Sequence, residues 1–256
     1  MEKKSVTLSV AIAVYNEEKN IGKCLSSVEP FAGEIVVVDG GSTDKTLSIA
    51  RKFTSKIIIT DNPPMFHINK QKALDNCHGE WILQLDADEV VTDELKNEIL
   101  RVTSDNTAEV SGYYIPRRNY FWGHFMKKGG QYPDEVIRLV RKGKASFPCK
   151  TVHEQISVNG KVGHLVCPML HYSYWTRADY WKKADTYTSL TAAELNKDKQ
   201  NMLYVFLQYC LIKPIHTFFS IYIRHKGFVD GLTGLEFAVY SGLHFIIAYK
   251  KYIQSA

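Results

Sequence analysis

Four short apolar runs, each parted from the next by a helical pattern, restrict this chain more than any other feature. Residues 6–14 are apolar and rich in β-branched side chains. Glu34–Asp39 holds Ile35-Val36-Val37-Val38 with no alternation, residues 56–60 make a third run, and Trp81-Ile82-Leu83-Gln84-Leu85 a fourth. A strand with no polar side is buried on both faces, as in a parallel sheet covered by helices. Between the runs, Ile21, Leu25 and Val28 recur at helical spacing behind Asn16, which can cap them. A second helix runs from the Ser42-Thr43-Asp44 cap to about Phe53, and a third lies near residues 68–77. The order β-α-β-α-β-α-β with short joints predicts a doubly wound, mostly parallel α/β sheet over roughly the first hundred residues.

Function in such a sheet sits at the carboxyl ends of its strands. The fourth run ends in Asp86-Ala87-Asp88-Glu89. Side chains alternate along a strand, so Asp86 and Asp88 can point the same way and offer paired oxygens to a hard divalent ion such as Mg2+ or Mn2+. A strand closing in a polar turn, with Asp88 or Glu89 opening the next helix, explains the same residues, and the motif alone leaves both readings open. The second run ends in Asp39-Gly40-Gly41-Ser42. Asp39 can accept hydrogen bonds from a base or sugar, or it can serve turn chemistry. The Gly-x-Gly-x-x-Gly spacing of a dinucleotide site is absent.

The 256 residues suffice for one sizeable α/β domain with an appendage. A formal net charge of +5 suits an anionic substrate, a membrane surface or nucleic acid alike and selects none of them. The basic residues form no long run and interleave with no ribonucleoprotein-type aromatic motif, which argues against nucleic acid. Five scattered cysteines, with no Cys-x-x-Cys, argue for a reducing compartment and against a zinc site or disulfide framework. Lys3-Lys4 and the apolar run behind them imitate a signal peptide, but the run continues into Tyr15-Asn16-Glu17-Glu18 and reads better as a first strand, in a cytoplasmic protein.

Beyond Glu109 the pattern changes. Strand-like pieces at 112–116 and 136–140 alternate with polar loops carrying Arg117, Arg118, Lys127, Lys128, Arg138, Arg141 and Lys142, an α+β half rather than another winding. Val152-His153-Glu154 and His171-Tyr172-Ser173 are candidate functional elements, although an isolated His or Glu more often has a structural or surface role. From Met202 the chain is apolar and aromatic, broken by Lys213-Pro214 and Arg224-His225-Lys226. A helix then runs over 235–253, with Leu235, Val239, Leu243, Ile246 and Ile253 on one face. No uncharged run approaches the roughly 20 residues needed to span a bilayer. Short apolar segments flanked by Lys and Arg predict amphipathic helices lying in an anionic membrane interface.

Taken together, Val10-Ala11-Ile12-Ala13-Val14-Tyr15-Asn16-Glu17, Val37-Val38-Asp39-Gly40-Gly41-Ser42-Thr43-Asp44 and Leu85-Asp86-Ala87-Asp88-Glu89 resemble the family-two glycosyltransferases of GT-A fold. Val152-His153-Glu154, His171-Tyr172-Ser173 and Gly227-Phe228-Val229-Asp230-Gly231 extend the likeness to bacterial lipopolysaccharide-core β-glycosyltransferases. The resemblance implies a Rossmann-like transferase domain over 1–195, its nucleotide-binding half 1–108 and its acceptor side 109–195, with a helical membrane-associating tail over 196–256. It implies that Tyr15, Glu17 and Asp39 hold the nucleoside and that Lys70 or Lys72 approaches the nucleotide. Asp86 would contact the ribose, and Asp88 with His171 would hold Mn2+ or Mg2+ on the diphosphate. Glu154 is the expected general base, with Asp134 and Glu135 as competitors, since the Glu-Asp pair of many relatives is missing. A nucleotide-sugar donor (UDP by default), a glycan or lipid-linked acceptor, a peripheral place on the inner face of the cytoplasmic membrane and inversion at the anomeric carbon complete the expectation. Asp86-Ala87-Asp88-Glu89-Val90 also fits the pattern of haloacid-dehalogenase-like phosphatases, and a non-catalytic nucleotide-sugar-binding membrane scaffold is a third reading.

Overall fold

The computed structural model describes residues 7–105, 109–149, 155–197 and 201–255. Its strands are β1 (Leu8–Val14), β2 (Glu34–Asp39), β3 (Ile57–Ile59), β4 (Trp81–Leu85), β5 (Glu89–Val90) and β6 (Val110–Phe121). Then come β7 (His124–Phe125), β8 (Asp134–Arg141), β9 (Ala145–Ser146), β10 (Ser157–Val158), β11 (Lys161–His164) and β12 (Met169–Tyr174). The helices are α1 (Ile21–Val28), α2 (Thr46–Ala50), α3 (His67–Asp75), α4 (Asp93–Ser104), α5 (Arg177–Lys197), α6 (Met202–Phe206), α7 (Lys213–Phe219) and α8 (Gly231–Ser255).

The main sheet runs β3-β2-β1-β4-β8-β6-β12-β5, with β7 and β11 also paired to β6. The first four strands are parallel, as their two-sided burial predicts. From β1, Val10 and Ile12 pack with Ile21, Leu25 and Val28 of α1 and with Leu95 and Ile99 of α4. Ala11 points to the other side, toward Ala73 and Leu74 of α3. Beyond β4 the expected change of pattern takes the form of β8, which pairs antiparallel with it through Trp81–Arg141, Ile82–Val140 and Leu83–Leu139. Arg117, Arg118 and Arg138, expected in loops, lie within β6 and β8.

At the amino ends of the parallel strands, Glu34 gathers four donors. Its Oε1 meets Lys56 Nζ at 2.6 Å and His78 Nδ1 at 2.9 Å, and its Oε2 accepts from Ser9 Oγ at 2.5 Å and His78 N at 2.8 Å. Burial acts to raise this carboxyl, but Lys56, Ser9 and His78 outweigh it and lower it from 4.5 to about 2. A depressed folded-state value contributes stability above the unfolded value, and that contribution is lost as pH falls through the folded one. Glu34→Gln is therefore expected to cost about 1–3 kcal/mol at neutral pH. Urea unfolding should show its gap from wild type closing as pH drops from 4.5 toward 2.

The chain forms two compact units, Met1–Arg117 with Glu135–His171, and Arg118–Asp134 with Tyr172–Ala256. In the second, a continuous helical stretch Met202–Arg224 folds back onto Gly227–Ser255. The sequence reading broke the first stretch at Lys213-Pro214, and the structure corrects this. A π turn, Leu207–Ile212, precedes the proline, and the Lys213 N–H bonds to the Gln208 carbonyl, so the helix carries the ring without breaking. The two stretches, 23 and 29 residues long, are by length and composition enough to cross a bilayer, which the lengths of uncharged runs did not suggest. Gly234, Ala238 and Gly242, spaced by four, are buried along α8. A Cβ at 242 would stand 3.1 Å from the Pro214 carbonyl oxygen, and one at 234 would strike that of Gly227. Val239, Leu243, Ile246 and Ile253, the apolar face read from sequence, are exposed instead.

Candidate active site

In the first unit the loops after β1 and β2 are stitched together by side chains accepting from backbone. Asn16 takes a left-handed conformation, φ 53°, and does not cap α1 as expected. Its amide oxygen accepts from Thr43 N at 2.8 Å, and its own N–H donates to Ser42 Oγ at 2.9 Å. Glu17 N donates to Thr46 Oγ1 at 2.7 Å and Glu18 N to Asp44 Oδ2 at 3.1 Å. Asp39 ends β2 almost wholly buried, accepting from Ser42 Oγ at 2.6 Å and Ser42 N at 3.0 Å. Turn chemistry thus engages this carboxylate, which keeps further acceptor capacity. Gly41, at φ 79°, makes the turn. Tyr15 is exposed at 43% beside it, and Glu17 Oε2 accepts from Asn20.

The end of β4 carries a second cluster. Asp86 is paired with Lys70 and with Arg138, whose Nη2 lies 2.5 Å from Oδ2. Arg138 also reaches Gln84 Oε1 at 2.5 Å and Glu89 Oε1 at 2.7 Å. Arg117 Nη1 approaches the same Glu89 oxygen at 3.4 Å, while Glu89 Oε2 accepts the Asp86 N–H at 2.9 Å. Burial alone would raise the Asp86 carboxyl, but Arg138 and Lys70 hold it well below the usual range. Burial would lower the Arg138 guanidinium, and Asp86 and Glu89 raise it. Beneath, burial and then the charges of Glu89, Asp88, Asp86 and Glu17 push the Cys24 thiol far up, which marks how closely these carboxylates gather.

Asp88 Oδ2 lies 3.5 Å from His171 Nε2, both side chains 15% exposed. The antiparallel pairing of β5 with β12 sets His171 opposite Glu89 and so brings this distant histidine to the motif. Among the described residues no group of three or more His, Cys, Asp or Glu side chains is arranged to hold a metal. One carboxylate and one imidazole still fit a cation that takes its remaining ligands from a diphosphate and water. Of the two lysine candidates, Lys70 joins the carboxylates, whereas Lys72 bonds Thr60 Oγ1 at 3.1 Å.

Glu154 lies outside the described residues. Its competitors are engaged, Glu135 with His164 Nδ1 at 2.9 Å and Asp134 with Asn119 Nδ2 at 2.9 Å. Sequence reasoning missed Arg138 and Arg117 as partners of the motif. The signal was present in Val136-Ile137-Arg138-Leu139-Val140, since an arginine inside a buried strand requires a carboxylate partner.

Comparison with known proteins identifies the family. The chain is 31% identical over 268 residues to the lipopolysaccharide core biosynthesis glycosyltransferase LpsC of Rhizobium meliloti (strain 1021), covering 97% of this chain and 93% of that protein. It is 28% identical to an uncharacterized glycosyltransferase of Rickettsia typhi, over 88% of this chain and 82% of the relative. Among solved structures, S. aureus TarS 1–349 aligns with 98% of this chain and 92% of its own, at 16% identity and a TM-score of 0.46. Residues 9–158 match the model of glycosyl transferase family 2. With the motifs at the carboxyl ends of β1, β2 and β4, the chain belongs to glycosyltransferase family 2 and has its GT-A fold.

Proposed function

We propose that the protein is a metal-dependent, inverting hexosyltransferase that moves a sugar from a nucleotide-sugar, UDP-linked, to a glycan or lipid-linked acceptor in lipopolysaccharide-core or cell-envelope synthesis. The observation that carries this reading is the pair Asp88–His171 beside an Asp86 whose charge is already matched by Lys70 and Arg138. Tyr15, Glu17 and Asp39 would hold the nucleoside and Asp86 the ribose. Lys70, with Lys72 the lesser candidate, would face the diphosphate. Asp88 and His171 would hold Mn2+ or Mg2+, which when bound supplies positive charge to the departing nucleoside diphosphate. Nucleotide binding falls to residues 1–108, acceptor binding to 109–195 and membrane association to 196–256. Glu154 takes the acceptor hydroxyl's proton as that oxygen attacks the anomeric carbon and the bond to the diphosphate breaks. Glu154→Ala is expected to abolish transfer while donor affinity, measured by calorimetry, stays near wild type. Persisting transfer, or a collapse of donor affinity, contradicts the assignment.

A haloacid-dehalogenase-like phosphatase is disfavoured, because its first aspartate must be a free nucleophile. Here Asp86 is bound by a buried arginine and a lysine in a chain of another family.

Membrane association in this reading is peripheral, on the inner face of the cytoplasmic membrane. Although the two tail helices are long enough to cross a bilayer, α5 accompanies α8. Arg177 bonds Glu236 at 2.7 Å, Lys251 bonds Asp185 at 2.6 Å and Asn196 bonds Ser255 at 2.8 Å. A crossing would carry Lys182, Lys183, Asp185 and Glu194 of α5 into hydrocarbon, at about 2.5–3.5 kcal/mol per charge near the centre. Lying in the interface leaves that face in water and the exposed apolar face of α8 on the lipid.

A further inference from the structure

The turn between the two tail helices gathers exposed cations from two distant stretches of the second unit. The helix ends at Arg224-His225-Lys226, and Lys226 adopts a left-handed conformation, φ 58°, that reverses the chain. Asp230, fully buried at its side chain, accepts the backbone N–H groups of Lys127 at 2.9 Å and Lys128 at 2.8 Å, and His124 Nε2 lies 3.1 Å away. Gly129 N donates to the His225 carbonyl at 2.9 Å. These bonds use main chain, so they lock the two stretches together and leave the side chains of Lys127, Lys128, Arg224 and Lys226 exposed. Among the described residues none of the four has an ion-pair partner. Even with the Asp230 carboxylate beneath them, these four cations leave the turn net positive, which favours an anion there.

The same turn exposes apolar side chains, Ile223 at 52%, Phe228 at 50%, Val229 at 52% and Leu232 at 67%. Cations for a charged layer next to apolar side chains for an oily one match the two zones of a lipid leaflet. A soluble phosphate would use the first group and leave the second in water.

We infer that this turn is an anionic-lipid site, with Lys127, Lys128, Arg224 and Lys226 taking phosphate-bearing headgroups while Ile223, Phe228, Val229 and Leu232 enter the acyl boundary. The inference rests on the peripheral-membrane reading and adds to it the place on the chain, and the residues, that select anionic lipid. Because Asp230 is bonded to the loop bearing Lys127 and Lys128, headgroup binding there also orients the second unit on the surface.

The test is flotation of the full chain with vesicles of phosphatidylcholine alone and with a minority of phosphatidylglycerol. Wild type is compared with Lys127→Gln, Lys128→Gln, Arg224→Gln and Lys226→Gln combined, and with the control pair Lys142→Gln and Lys144→Gln, exposed in the first unit. Glutamine keeps the backbone donors, and unchanged UDP affinity verifies the fold. Wild type should favour the anionic vesicles by at least about tenfold, a preference the fourfold variant loses and the control pair keeps. Equal binding of wild type to both vesicles, or a preference that survives in the fourfold variant, overturns the headgroup site and leaves peripheral binding standing. No binding of wild type to either vesicle overturns both.

Discussion

Alanine in place of Asp88 is expected to lower sugar transfer by about 10²–10³-fold with little loss of stability. The carboxylate is 15% exposed, and its partner His171 is exposed to the same degree. On the proposed assignment, what is lost is the anionic ligand of a cation on the diphosphate, and with it the stabilisation of the leaving group. His171→Ala should cost less, about 10–100-fold, since water can replace a neutral ligand more readily than a charged one. Rates measured against Mn2+ concentration separate the two, because a lost ligand shifts the metal requirement upward as well as lowering the maximum. A wild-type rate and metal dependence in Asp88→Ala would remove Asp88 from the site.

Arg138→Met produces the largest expected loss of stability. The guanidinium joins Asp86, Glu89 and Gln84; Arg138 is itself buried, and Glu89 and Gln84 are fully so. Taking away one member of a buried ion pair costs about 3–5 kcal/mol, mostly through the charge left behind. The pH dependence follows from Asp86. Its folded-state value is depressed, so its contribution is present at neutral pH and fades as the carboxyl protonates in acid. The destabilisation of Arg138→Met in urea should therefore be greatest near pH 7 and shrink below about pH 4. Adding Glu89→Gln should restore part of the loss, because the amide needs no counter-charge. An additive double variant would mean that the arginine and glutamate do not act as a pair.

The parallel half of the fold was legible because its signal is local. Runs such as Ile35-Val36-Val37-Val38 declare burial on two faces, and each strand carries its polar ending with it. The positions of Asp39, Asp86 and Asp88 followed from that. What the sequence hid depends on partners far along the chain. Asn16 looked like a helix cap until the 42–46 loop supplied other bonds, and Arg138 read as part of a polar loop until β8 was laid antiparallel on β4. Pro214 read as a break because no propensity announces the π turn that precedes it. His171 was a candidate in the sequence whose metal role came from resemblance, and only the β5–β12 register shows why a residue 83 positions from Asp88 stands next to it.

The central claim, metal-assisted cleavage of a nucleotide-sugar at the end of β4, is tested most directly by nucleoside diphosphate release. Wild type and Asp88→Ala would be offered a panel of UDP- and GDP-sugars with Mn2+ or Mg2+, with and without chelator. Release from one donor, abolished by chelator and by the substitution, is the predicted result and names the sugar. Release that ignores both treatments contradicts the account, and donor binding with no release across every plausible acceptor would favour a nucleotide-sugar-binding scaffold instead.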